Sequence, residues 1–454
     1  MPTHRPGNGH SVAAFLGDVG GIPGYFCAPK EEVMPKLAIN GGTPVVPGGL
    51  QPRWPIIDET DRQALLEVLD SGKWCSAGFY YADPLDSKVA QFEKAWAEWV
   101  GSRYAVAVSN GTAALTLALK AAGIEAGDEV IVPAVTFIAS ATAVVLANAI
   151  PVFADIVPDT YQIDPDHVES LITSRTRAIM PVHYGGYPAD MDRIMEIAGK
   201  HDLVVVEDCA EAHGSEWRGK RVGSVGHLGA FSHQMGKPLA AGEGGSITTS
   251  DDGFARNCYS YGDLGRIPGG AKYEHYIPAG NNRITEFQGA LLLTALARLD
   301  AQTETRYQNG EYFARELDRI GGIPALKRGD PRITKRGYYF YFLRYQPQEW
   351  GGVPRDRFVQ ALNAEGIHAG TAHNQPLYKN PVFAQMSFGR TGCPVLCPHH
   401  GEPPDYSKVS CPQAERVYET EVVALGKDFL MDRADVDRVL EAIAKLKANV
   451  AELG

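Results

Sequence analysis

Cysteine is scarce in this sequence, with seven in 454 residues. So few, odd in number and scattered, do not make the disulfide framework of a secreted domain; they point to reduced thiols and a cytoplasmic location. Positive charge is also short: 43 lysines and arginines face 54 aspartates and glutamates, for a net charge of −11. That balance gives no electrostatic case for nucleic acid or an anionic membrane surface as partner. Long apolar runs are missing too. The longest candidate, residues 141–154, is short for a bilayer and is interrupted by Thr142, Asn148 and Pro151. There is no internal repeat. Cys393, Cys397, His399 and His400 crowd together, but their spacing fits no common zinc pattern, and Pro394 and Pro398 make the segment a loop. No metal is expected there.

What remains is an ordinary globular composition, 44% hydrophobic and 21% charged, in a chain long enough for a large and a smaller domain. Residues 1–33 are rich in glycine and proline, show no period, and lack the charged start and apolar core of a secretory signal. They read as an extension outside the fold. Helical spacing follows over residues 58–70, with Asp58 or Thr60 as cap, and over 89–100; a turn-rich aromatic loop, 72–81, lies between them. From residue 105 short apolar strands alternate with helices: strands at 105–108, 129–133, 151–155, 178–182 and 203–207, helices at 113–122 and 136–147. This alternation predicts an α/β fold with a largely parallel sheet covered on both faces. A long helix begins at Glu286 and runs past Arg306. A smaller α+β region follows, with strands at 337–344 and 367–371 and helices at 354–365 and 434–453. The expected division is a large domain over 34–305 and a small one over 306–454.

Residues 229–245, GAFSHQMGKPLAAGEGG, place Lys237 between Gly236 and Pro238, which argues against a helix there. A lysine desolvated in such a loop becomes an amine nucleophile, as a Schiff base to pyridoxal phosphate requires. Taken alone it would read as a solvated loop lysine; its companions change the balance. Asp208 ends the strand 203–207, and a carboxylate at the carboxyl end of a parallel strand can hold a pyridine nitrogen protonated. A helix cap is the ordinary use of such an aspartate. Residues 109–112, SNGT, join a strand to a small-residue helix, so that Gly111 and the Thr112 hydroxyl suit a phosphate. Phe137 suits stacking on a ring, although a core aromatic is the commoner use. Ser232 offers a further phosphate contact or a plain strand-end hydroxyl. Glu211 and His213 either contact a ring oxygen or cap; His183 orients Asp208, lines the site, or is structural. Tyr80, Tyr81, Tyr184, Tyr187 and His373 are unranked candidates for a substrate pocket.

Together the stretches SNGTAAL, GDEVIVPAVTFIAS, VVVEDCAEAHGS, GAFSHQMGKPLAAGEGGSITT and NNRITEFQGALLL resemble the DegT/DnrJ/EryC1/StrS family of pyridoxal-phosphate-dependent aminotransferases. The resemblance implies a type I aminotransferase fold: a large domain on a mostly parallel seven-stranded sheet, plus the smaller C-terminal domain. It also implies a homodimer with shared active sites. By position it makes Lys237 the Schiff-base lysine, Asp208 the pyridine-nitrogen partner, Gly111, Thr112 and Ser232 phosphate contacts, and Phe137 the stacking ring. Asn281 matches an asparagine that reaches the partner subunit's phosphate, followed here by Asn282 where an aromatic residue is usual. Glu211 stands where the family often has glutamine or histidine. GEGG, WPIID and the YYFYFLRYQP stretch resemble the branch acting on keto-cyclitols, which includes glutamine:scyllo-inosose aminotransferases and 3-amino-5-hydroxybenzoate synthases. The implied reaction moves an amino group from glutamine or glutamate to a ketone on a cyclitol or sugar ring. The alternatives are a nucleotide-linked keto-sugar as acceptor and an aromatising lyase.

Overall fold

The computed structural model describes residues 36–77, 83–271, 273–401 and 403–454. The extension over 1–33 and the pocket candidates Tyr80 and Tyr81 lie outside the described residues. Five strands come first in the chain: β1 (Tyr104–Val108), β2 (Glu129–Pro133), β3 (Ile150–Ala154), β4 (Thr176–Ile179) and β5 (Val204–Asp208). A short hairpin follows, β6 (Glu216–Trp217) and β7 (Lys220–Arg221), then β8 (Leu228–Ser232) and β9 (Gly245–Thr249). The main sheet has seven strands in the order β1-β9-β8-β5-β4-β2-β3. The pairs from β8 through β5, β4 and β2 to β3 are parallel, and β9 runs antiparallel to both its neighbours. Val130, Val132, Val206, Leu228 and Ile247 are buried in this sheet's core.

Local chemistry sets most of the element ends. Asp58 caps the helix Glu59–Ser71 in a capping box with Asp61, and Asn110 accepts from the Ala113 N–H at the start of the helix Gly111–Ala121. In the region of the main sheet two expected elements are shorter than their pattern. The helix expected from residue 136 begins at Ala139, because Ala134 still pairs with Ala154 at the end of β3 and residues 134–138 turn instead. The strand expected over 178–182 ends at Ile179, two residues before Pro181, which has no N–H for a ladder. Strand β9 has no counterpart in the sequence reading. Its GSITT follows a glycine run and alternates weakly, yet all five residues are buried.

The long helix, Glu286–Ile320, is capped by Thr285 with Gln288 and joins two cores. Leu292 and Leu299 pack with Phe92, Trp96, Phe231 and Leu239. One end later, Phe313, Ala314 and Leu317 pack with Tyr341, Trp350, Phe358 and Ile443. Leu37 and Val46, from the start of the described chain, also pack into this second core. Strand β10 (Ile333–Lys335) pairs with the β6–β7 hairpin, while β11 (Phe340–Arg344), β12 (Ala369–Gly370) and β13 (Val422–Gly426) form a three-stranded antiparallel sheet in the order β11-β13-β12. The strand expected from residue 337 starts at Phe340: Tyr338 takes a left-handed φ of 47°, is fully buried and stacks on Tyr341 at 5.2 Å. That turn releases Tyr339 toward the carboxyl ends of the main strands. Among the described residues no helix is long and apolar enough to cross a membrane.

Candidate active site

The carboxyl ends of β1, β5 and β8 open on one cleft of about 1020 Å³. In-register pairing brings Val108, Gly245 and Ser232 side by side, so the turn after β1 lies against the end of β8. Two glycines make this approach possible. A Cβ on Gly111 would stand 2.7 Å from the Ser232 Cβ, and one on Gly245 would stand 2.4 Å from the Asn110 carbonyl oxygen. The amides at the start of the helix Gly111–Ala121 have no intrahelical acceptor and carry the positive end of the helix dipole. Gly111, Thr112 and Ser232 thus line a concave, donor-rich corner of the cleft. Its chemistry fits a phosphate group.

Asp208 closes β5 on the same cleft and is 4% exposed. Ser140 donates to its Oδ2 at 2.7 Å, and the Ala210 N–H donates to Oδ1 at 3.1 Å. Ser140 is in turn 3.2 Å from the Thr136 hydroxyl. Burial pushes the Asp208 carboxyl up; the Ser140 and Ala210 bonds oppose this, Glu211's charge adds to it, and Lys237's charge opposes it. Sequence reasoning passed over Ser140, although VTFIAS contains it, because nothing local shows that a helix residue faces a carboxylate 68 positions later.

Lys237 lines the cleft beside Asp208, Glu211 and Tyr339. Its Nζ is 3.7 Å from Glu211 Oε1 and 4.0 Å from the centre of the Tyr339 ring. Glu211 also accepts the Gly185 N–H at 2.9 Å, and its carboxyl is pushed up by burial and pulled back by Lys237. Phe137 is 54% exposed and lies at the cleft with its ring 5.8 Å from that of His373. Tyr184 is fully buried, burial holds its hydroxyl protonated, and that hydroxyl is hydrogen-bonded to His373 Nδ1 at 2.8 Å. Burial, then the Lys237 charge, lower His373 to about 4, so it stays neutral near pH 7.

Three of the candidates do not line this cleft. His183 does not orient Asp208 through its side chain: Nδ1 accepts from the Ala189 N–H, and Nε2 donates to Glu207 at 3.0 Å. Glu207 takes three further N–H bonds, from Gly223, Val225 and Gly226. Among the described residues His183, Glu207 and Cys209 are the group spaced for a metal. With the Glu207 carboxylate filled by four donors and His183 Nε2 protonated, that group offers no free donor set. His213 is fully buried against Trp96, Phe231 and His233 rather than in the cleft. Asn281 is exposed and bridges to Asp263, while its neighbour Asn282 lines the cleft.

Residues 55–444 match the DegT/DnrJ/EryC1/StrS aminotransferase family. The chain belongs to this family. It is a pyridoxal-phosphate-dependent aminotransferase, and its fold is that of the type I enzymes. It is 39% identical over 421 residues to a protein of Streptoalloteichus tenebrarius provisionally named L-glutamine:3-amino-2,3-dideoxy-scyllo-inosose aminotransferase, covering 92% of this chain and 99% of the relative. It is 38% identical to the L-glutamine:2-deoxy-scyllo-inosose aminotransferase of Streptomyces kanamyceticus, covering 92% of this chain and 98% of that one. Among solved structures, that of 3-amino-5-hydroxybenzoic acid synthase superposes with a TM-score of 0.76 at 32% identity, covering 88% of this chain and 99% of the other.

Proposed function

We propose that this aminotransferase moves an amino group from L-glutamine to a ketone on a cyclitol ring of the scyllo-inosose type. The observation that carries the reading is the near full-length likeness to enzymes named for those substrates, at 38–39% identity. The cleft suits a neutral, hydroxyl-rich acceptor: burial keeps His373, hydrogen-bonded to Tyr184, uncharged at its wall. A nucleotide diphosphate would call for a cluster of cations, and among the described residues the lysines and arginines lining this cleft are Lys237 and Lys120.

When bound, pyridoxal phosphate supplies an aldehyde that takes up the amino group and a ring that draws off electrons. In this reading Lys237 Nζ would be the amine that holds the aldehyde and, once displaced, the base that would take the proton from the donor Cα and deliver it to the former aldehyde carbon on the other side of the nitrogen. Asp208 keeps the ring nitrogen protonated. The helix start at Gly111 and Thr112, with Ser232, binds the phosphate. Phe137 covers one ring face, and Glu211 holds the Lys237 ammonium within reach of the reacting carbons. The assembly is a homodimer, in which the exposed Asn281 serves the partner's cofactor and the partner covers exposed cleft residues such as Leu146.

The test is a pair of half-reactions on purified enzyme. L-Glutamine should bleach the visible band of the bound cofactor, and scyllo-inosose or its 2-deoxy form should restore it. Restoration by a nucleotide-linked keto-sugar alone would move the acceptor to that class. Formation of an aromatic product and water, with no need of an amino donor, would make it a lyase.

A further inference from the structure

Lys427 follows β13 and is 6% exposed. Its Nζ donates to the Gly236 carbonyl at 2.7 Å, the carbonyl of the residue just before Lys237. It lies 4.4 Å from the Trp54 ring and 3.5 Å from Asp428 Oδ1. Trp54 donates its indole N–H to the preceding carbonyl, that of Met235, at 2.8 Å. Arg53, next in the chain, pairs with Asp432 at 2.8 Å and Asp435 at 2.7 Å. Two consecutive carbonyls ahead of Lys237 are therefore held by side chains from opposite ends of the chain, and those side chains hold each other.

Packing does not require an ammonium here. Burying a charge is costly unless it is paired, and an apolar side chain would fill the same space. The cost is offset by bonds aimed at one target, the backbone that carries Lys237. That backbone is fixed from within as well: Gly236 N–H donates to Gln234 Oε1 at 2.7 Å, and Lys237 N–H to the Gln234 carbonyl at 2.8 Å. Tyr339 lies beside both lysines, with Lys237 Nζ 4.0 Å and Lys427 Nζ 5.8 Å from its ring centre. A second cavity of about 500 Å³, lined by Gly236, Tyr339 and Lys427, lies behind the loop, so the loop has room to sag if the clamp is lost.

We infer that Lys427 and Trp54 are positioning residues that clamp the 235–236 backbone and so aim the Lys237 amine at the cofactor aldehyde. The inference rests on the reading of Lys237 as the amine that takes up the cofactor. Lys237 must leave and regain that carbon in every turnover. Its side chain has to be free, so precision has to come from a fixed backbone.

The test needs no substrate. Cofactor-free protein is mixed with increasing pyridoxal phosphate, and growth of the visible band is followed by stopped flow, which separates the saturating rate from the half-saturating concentration. Lys427→Met should lower the saturating rate about 10- to 100-fold and leave half-saturation within about threefold, the range of losing a charge-assisted bond. Lys427→Arg, which keeps a donor and a charge, should recover most of the rate. Trp54→Phe, which keeps the ring but loses the N–H, should slow it about 3- to 10-fold and serves if Lys427→Met does not fold. In the cofactor-free proteins, amide hydrogen exchange over residues 234–242 should quicken by about the same factors. Wild-type rates and exchange in both Lys427→Met and Trp54→Phe would overturn the inference, and so would a loss confined to half-saturation. Lys237→Ala is run alongside: a normal band in it would refute the assignment of Lys237, while the exchange data still report on the clamp.

Discussion

Replacing Ser140 with alanine should reveal how far its hydrogen bond opposes the upward push of burial on the Asp208 carboxyl. Ser140 donates to Asp208 Oδ2 at 2.7 Å in a site where the aspartate is 4% exposed. Burial already raises this carboxyl, and Glu211 raises it further; Ser140, Ala210 and Lys237 pull it down. A hydrogen bond to a charged group is worth about 1.5–3 kcal/mol. Its loss therefore moves the Asp208 carboxyl further up. A carboxyl that holds its own proton cannot hold one on the ring nitrogen. We expect the saturating rate of the L-glutamine half-reaction at pH 7 to fall by up to about 100-fold, the full worth of the bond, with half-saturation changed less than about threefold. The acid limb of the rate profile should move to higher pH. The assay is stopped-flow bleaching of the cofactor band from pH 5 to 9. Thr136→Val, which removes only the outer contact at 3.2 Å, should cost less than about fivefold. An unmoved acid limb and a rate within twofold of wild type in Ser140→Ala would refute the argument.

Three further changes follow from the same geometry. Gly111→Ala puts a methyl 2.7 Å from the Ser232 Cβ, so pyridoxal phosphate affinity, measured by titration, should drop at least about tenfold, the equivalent of about 1.4 kcal/mol. Lys237→Ala should abolish both the cofactor band and transamination; normal turnover would sink the assignment. Glu93 is raised by burial from 4.5 to about 7, with its carboxylate accepting the Ala107 N–H. The folded protein therefore retains a proton there that the unfolded chain gives up, and this contribution to stability, complete below pH 4.5, is lost as the pH rises through about 7. Glu93→Gln keeps the acceptor and loses the titration. By chemical denaturation it should be more stable than wild type by about 1–3 kcal/mol at pH 8, with the difference shrinking toward pH 5.

The alternation of short apolar strands and helices fixed the α/β class locally, since valine-rich runs such as 203–207 have few other uses in a chain of this kind. Lys237 between glycine and proline, Asp208 at a strand end and the SNGT turn are also local features, and the fold brings all three to one cleft. Side-chain partners were another matter. That Ser140 bonds Asp208, that His183 bonds Glu207 instead, and that Tyr339, Trp54 and Lys427 surround the Lys237 loop depends on segments 24 to 191 positions apart. Periodicity and propensity report how a residue sits relative to its neighbours in the chain. They carry no information on which distant side chain a strand end will meet. Strand β9 shows the same limit: GSITT has little apolar signal of its own and becomes a buried strand because β1 and β8 flank it and satisfy its backbone. The sequence by itself settled which chemistry the chain can carry; the tertiary structure decided what opposes burial at the carboxyl and what holds the lysine in place, because those are bonds between segments brought together only by folding.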